Sequence, residues 1–149
     1  MYDELREQLA ALLDGERDPI ANAANMASLL FHTLPGLNWA GFYFLKAGEL
    51  VLGPFQGKPA CVRIPLGSGV CGTAAKSRTT VVVPDVDAFP GHIACDTASR
   101  SEIVVPLIKD GGLVGVLDID SPKLGRFGDE DRAGCEILVQ VFLERTDFA

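Results

Sequence analysis

The sequence predicts an α+β fold: a central antiparallel sheet of about six strands, with terminal helices packed on one face and a ligand pocket under loops on the other. Three observations lead there. The periodic segments run α-α-β-β-β-α-β-loop-β-β-α; two strand pairs are joined by tight turns, at Ala47-Gly48 and at Asp110-Gly111-Gly112; and strand-helix-strand crossovers are too few for an all-parallel sheet. The 149 residues, 48% hydrophobic and 22% charged, suit a single domain over 1–149 with a sizeable core.

Each element has a local reason. Tyr2, Leu5, Leu9, Leu12 and Leu13 recur at helical spacing over residues 1–14, and Gly15 closes that helix. Asp18-Pro19, a cap followed by a first-turn proline, opens a second helix through Ala23, Met26, Ala27, Leu30 and Leu34 to Pro35-Gly36. From Asn38 the period becomes two. Trp39, Gly41, Tyr43 and Leu45 alternate with Ala40, Phe42 and Phe44, and Leu50 to Leu52 returns as the second arm of a hairpin. Cys61 to Ile64 reads as a short strand. The glycine-rich Pro65 to Gly72 bends into a helix over Thr73 to Ser77, and Thr79 to Val83 is a β-branched strand stopped by Pro84. Residues 84–101 have no clean period and read as a functional or mobile loop. Glu102 to Ile108 and Leu113 to Asp120 form the last hairpin. The final helix starts near Gly128 or Asp129 and carries Ala133, Ile137, Leu138 and Val141 on one face.

Composition narrows the function. Twenty acidic against thirteen basic residues give a net charge of -7, which argues against nucleic acid as a partner. No apolar run approaches the roughly 20 residues of a spanning helix, and the N-terminus lacks a basic segment followed by an apolar one, so a cytoplasmic protein without membrane contact is expected. In a reducing compartment the four cysteines are buried thiols, metal ligands or redox groups. Cys61, Cys71 and Cys95 lack the short paired spacing of a structural zinc site, so no metal is expected. Cys95 stands out, in a polar loop with His92 three residues before it and Arg100 five after, although Asp96 opposes a thiolate there. Cys135 reads as a packing residue near the edge of the apolar face of the last helix.

Two further patterns suggest a ligand with both charges. Pro65 to Gly72 would present backbone N–H groups at a helix start, where an anion could sit; it lacks the Lys-Ser/Thr of a phosphate loop, so a carboxylate suits it as well as a phosphate, and a plain tight turn is the alternative. Strand period puts Asp118 and Asp120 on one face. If Asp110-Gly111-Gly112 is a three-residue loop, Glu102 falls opposite Asp120, whereas a two-residue loop would move Glu102 to the other face. Three neighbouring carboxylates call for a cation or a proton between them, unless they merely decorate a wet sheet face.

The segments Asn38 to Tyr43, Gly57 to Ile64, Gly67 to Gly72, Asp85 to Asp87, Gly91 to Asp96, Ser101 to Pro106 and Gly115 to Ser121 together resemble the free methionine-(R)-sulfoxide reductases, GAF-domain enzymes of the cytosol. The resemblance spans roughly residues 20–143, and its three-cysteine pattern with His-Ile-Ala-Cys-Asp is more specific than a general GAF likeness. It implies a GAF-like fold and no cofactor. Cys95 would be the nucleophile, Cys61 the thiol that resolves its sulfenic acid to a disulfide, and Cys71 a supporting or recycling thiol. Glu102, Asp118 and Asp120 would hold the amino group and the sulfoxide oxygen, Trp39 with Tyr43 nearby would form the aromatic wall, and the backbone at Gly69, Val70 and Cys71 would meet the carboxylate. Thioredoxin as reductant and a homodimer are implied too. A non-catalytic GAF small-molecule sensor and a cysteine-based redox sensor are the competing readings, since fold alone does not decide function.

Overall fold

A computed structural model of the chain describes residues 1–92 and 98–148. Helices α1 (Tyr2–Leu12) and α2 (Pro19–Thr33) precede strands β1 (Trp39–Lys46), β2 (Glu49–Gly57) and β3 (Arg63–Pro65). Helix α3 (Gly69–Ser77), β4 (Val81–Val83), a 3-10 turn over Val86–Ala88, β5 (Ser101–Lys109), β6 (Gly112–Ser121) and α4 (Asp129–Glu144) follow. The six strands form one sheet in the order β3-β2-β1-β6-β5-β4, each neighbouring pair antiparallel.

Strand alternation divides the interior in two. Ala40, Phe42, Phe44, Ile103, Val105, Leu107, Leu117 and Ile119 face α1, α2 and α4, where Leu5, Leu9, Met26, Leu30, Leu138 and Phe142 close the larger core. The intervening residues Trp39, Tyr43, Val104 and Val116 face the other way, onto Val70, Cys71, Ala74 and Ala75 of α3. Both faces are therefore covered. Asp18 caps α2 by accepting from the Ala21 N–H at 2.9 Å.

Several expected boundaries move. Helix α3 begins at Gly69, four residues before Thr73, because the positive φ of Gly67 and Gly69 lets the chain turn directly into it. Cys61 and Val62 precede β3, and Thr79 and Thr80 precede β4; these edge strands have only three paired positions each. The expected loop over 84–101 holds the 3-10 turn, capped by the Asp85 side chain on the Asp87 N–H. On α1, Leu12 is exposed. On α4, Ala133 and Ile137 face solvent, while Gly134, Cys135, Leu138, Val139 and Phe142 are buried, so Cys135 lies within the apolar face and not at its edge.

The final turn corrects another expectation. Lys109 pairs with Gly112, so the loop has two residues, Asp110 and Gly111, both at positive φ as a type I′ turn requires. Such a loop would place Glu102 on the wrong face, but the register shifts between Leu107 and Ile108: Ile108 pairs with Leu113 and Leu107 with Gly115. This β-bulge restores the pairing of Glu102 with Asp120 and of Val104 with Asp118. Gly115 ends the bulge beneath β1. A Cβ there would meet the Tyr43 carbonyl oxygen at 2.2 Å and Phe44 Cα at 3.0 Å, backbone atoms that cannot rotate away. Gly115→Ala is therefore expected to lower stability by about 1–3 kcal/mol, the usual cost of overpacking, read as a fall in the urea midpoint at unchanged slope; an unchanged midpoint would show that the bulge tolerates a side chain.

Candidate active site

On the α3 side of the sheet the strands converge on a cavity enclosing about 510 Å³ of non-atom space including its mouth. Its floor is Glu102 from β5 with Asp118 and Asp120 from β6. These carboxylates are only 6%, 6% and 8% exposed, which rules out the wet-face alternative. Trp39 and Tyr43 from β1 form one wall, and Ser68, Gly69, Val70 and Cys71 at the start of α3 form another. Ala60, Ile64, His92 and Ser99 complete it.

The aromatic wall is pinned. Trp39 Nε1 donates to the Lys58 carbonyl at 3.1 Å, and the Tyr43 hydroxyl donates to the Cys61 carbonyl at 3.1 Å. The indole stacks on Phe55 at 5.2 Å between centroids and faces Tyr43 at 6.0 Å. Two glycines make room for it: a Cβ on Gly41 would meet Phe55 Cβ at 2.3 Å and Trp39 Cη2 at 2.8 Å, and one on Gly57 would meet Trp39 Cδ1 at 2.6 Å. Glycines inside strands are the sequence signal that could have pointed to this slot.

Electrostatics on the floor are unfavourable for charge. Burial, then the neighbouring Asp118 charge, pushes the Glu102 carboxyl well above the usual range; burial, then Asp120, does the same to Asp118. Cys71 Sγ lies 4.0 Å from Glu102 Oε2, and burial followed by the charges of Asp118, Glu102 and Asp120 pushes its thiol well up. His92 Nε2 stands 3.8 Å from Glu102 Oε1 and is the one basic side chain lining the cavity among the described residues. Asp118 Oδ1 is buried with no hydrogen-bond partner among the described residues. The floor can accept protons or cations from a ligand. At the other wall, α3 starts without a side-chain cap from Ser68, and first-turn N–H groups of a helix have no intrahelical acceptor, a setting suited to an anion.

The structure thus brings together Trp39, Tyr43, Gly69, Val70, Cys71, Glu102, Asp118 and Asp120, all expected at the site. Cys61 is half-buried behind Tyr43 and disulfide-bonded, while Cys71 and Cys135 carry free thiols. Cys95 lies outside the described residues. His92 stood out in the sequence as a neighbour of Cys95 and, with it, as one of two ligands of a disfavoured zinc site; its approach to Glu102 had no signal there. Ser99, which accepts from Asn38 Nδ2 at 3.0 Å, carried no signal in the sequence.

A six-stranded antiparallel sheet with a cavity between it and a short helix is the GAF arrangement, and the GAF domain family matches residues 2–145. The chain is 51% identical over 150 residues to the free methionine-R-sulfoxide reductase of Escherichia coli, covering 99% of this chain and 91% of that protein. It is 61% identical over 132 residues to Protein YtsP of Bacillus subtilis, covering 87% and 81%. The structure of the Staphylococcus aureus fRMsr in complex with substrate superposes with a TM-score of 0.93 at 51% identity, covering 97% of this chain and 94% of that one. The chain belongs to the free methionine-R-sulfoxide reductase family of GAF-domain proteins.

The buried acids make a stability prediction with a definite sign. A carboxyl whose folded pKa is raised holds its proton longer in the native state, so stability falls as pH rises from the unfolded value near 4 through the folded one. Asp118→Asn removes that loss. It is expected to raise stability at pH 7 by about 0.5–2 kcal/mol, with the gain vanishing toward pH 4, as measured by urea unfolding across pH; a variant less stable than the parent at pH 7 would contradict the electrostatic account.

Proposed function

We propose that this protein reduces free L-methionine-(R)-sulfoxide to L-methionine as an oxidoreductase using its own cysteines, acting as a single domain over residues 1–149. The observation that carries the reading is the buried carboxylate floor facing a helix start across one cavity, a complement to a zwitterion. The substrate's ammonium would lie on Glu102, Asp118 and Asp120, and its carboxylate on the N–H groups of Gly69, Val70 and Cys71 at the start of α3. The apolar end would lie against Trp39, with Tyr43 behind it. Because both backbone-derived ends are recognised as charges, a methionine sulfoxide within a polypeptide would leave the acids and amides unpaired and be rejected.

The cysteines divide by environment. Cys71 is a protonated thiol at neutral pH and a poor nucleophile, since only the thiolate attacks. Cys95 is the proposed nucleophile. Its thiolate attacks the sulfoxide sulfur while a floor carboxyl, whose affinity for its proton is raised by burial and its like-charged neighbours, gives that proton to the sulfoxide oxygen; the hydroxyl then passes to the Cys95 sulfur as the transient S–S bond breaks. Methionine leaves, Cys95 becomes a sulfenic acid, and Cys61 condenses with it to a disulfide with release of water. The disulfide at Cys61 and the free thiol at Cys71 favour Cys61 as the resolving residue. A cytoplasmic thiol-disulfide reductant of the thioredoxin type completes the proposed cycle, and the proposed working form is a homodimer, to be read by sedimentation. No helix among the described residues is long and apolar enough to cross a membrane.

Reduced protein mixed with each pure diastereomer of free methionine sulfoxide is expected to form methionine and lose about two thiols per turnover with the R form alone, the two-electron stoichiometry of one disulfide. Cys95→Ser is expected to abolish turnover. Methionine from neither diastereomer would overturn the reductase reading and leave the sensor readings standing, and full multiple turnover by that variant would overturn Cys95 as the nucleophile.

A further inference from the structure

Cys71, Glu102 and Asp118 come from three elements that share no local sequence spacing, yet a ligand atom from each lies within 4.8 Å of the others. All three residues are more than nine-tenths buried. Asp118 Oδ1, at the cavity floor, has no hydrogen-bond partner among the described residues, and an unsatisfied buried acceptor costs about 1–3 kcal/mol or more when charged. From this geometry we propose that Cys71, Glu102 and Asp118 form a site for a thiophilic divalent cation, with zinc as the physiological class, overlapping the place assigned above to the substrate's ammonium.

The donor set selects the ion. Two carboxylates alone would suit magnesium or calcium, but a thiolate in the set favours zinc-like metals. Zinc bonds of about 2.3 Å to sulfur and 2.0–2.2 Å to oxygen place tetrahedral ligands roughly 3.5 Å apart; the Cys71 Sγ to Glu102 Oε2 separation of 4.0 Å closes to that with a small side-chain rotation. Three protein ligands leave the fourth position to the cavity. On binding, the Cys71 thiol and any protonated floor carboxyl release their protons to solvent, and the thiolate and carboxylates form the metal bonds. Metal then replaces ammonium as the cation that relieves the buried charge, so zinc would occupy the pocket in competition with substrate. That consequence rests on the reductase reading; the metal site itself does not.

The test uses the full chain with the Cys61 disulfide intact, when Cys71 and Cys135 are the free thiols among the described residues, and cobalt(II) as a coloured stand-in for zinc. One cobalt per chain is expected, with a thiolate-to-cobalt charge-transfer band. Cys71→Ser should abolish the band, and Cys135→Ser should keep it. Because Cys71→Ser could disturb packing, Asp118→Asn provides a second arm: its cobalt affinity should fall by more than the about 10–100-fold that follows loss of an outer partner of a metal ligand. Absence of the band in the parent, its survival in Cys71→Ser, or unchanged affinity in Asp118→Asn would overturn the site. Methionine formation enters none of these readouts, so failure of the reductase reading would be seen separately.

Discussion

Three carboxylates side by side on the floor of a cavity, each less than a tenth exposed, are the constraint on which the rest of this structure depends. Glu102, Asp118 and Asp120 sit near one end of the β5–β6 pair, buried side by side where like charges repel. Such an arrangement persists only if packing elsewhere holds the sheet rigidly. The helical core on the opposite face does so: Ala40, Phe42 and Phe44 of β1, Ile103, Val105 and Leu107 of β5 and Leu117 and Ile119 of β6 are buried apolar side chains packed with those of α1, α2 and α4. The pocket face can then carry an electrostatic cost that a lone hairpin could not.

The same constraint orders the chemistry. Carboxyls that hold their protons to higher pH, an Asp118 oxygen without a donor among the described residues and a thiol pushed upward are all found where burial acts on neighbouring acids. The helix start at Gly69 supplies the opposite partial charge, and the indole of Trp39, fixed by the Lys58 carbonyl and seated over Gly41 and Gly57, supplies an apolar wall. A zwitterion with a soft sulfur end answers all three. The free methionine-R-sulfoxide reductase family gives such a ligand, and it makes sense of cysteines separated by environment: Cys71 on the acidic floor, Cys61 behind the Tyr43 hydroxyl, Cys135 in the helical core, where burial pushes its thiol up to about 12.

Much of this was legible before any coordinates. Period two from Trp39 onward, period 3.6 in the terminal segments and the glycine turns suffice for the sheet and its covering helices, because those patterns express burial directly. What was not legible was set by non-local fit. The last hairpin has a two-residue turn and a bulge, and local turn chemistry cannot reveal a bulge that exists because Gly115 must pass under the Tyr43 carbonyl. Three-residue edge strands β3 and β4 carry too few pairs to leave a clear period. On α4, Ile137 had the stronger hydrophobic claim, yet Gly134 is inward because Tyr2 lies where its Cβ would be, 2.3 Å from the ring. The proximity of His92 to Glu102, and of Cys71 to Glu102 and Asp118, comes from loop and helix placement that spacing does not encode.

The central claim is that the buried acids recognise a free ammonium. Calorimetric titration of Cys95→Ser, which should bind without turning over, compares L-methionine-(R)-sulfoxide with its N-acetyl derivative. Saturable binding of the free amino acid, with N-acetylation weakening it by about a hundredfold or more as expected when a buried charge partner is lost, is the predicted result. Equal affinity for the two would place the amino group away from Glu102, Asp118 and Asp120 and contradict the account.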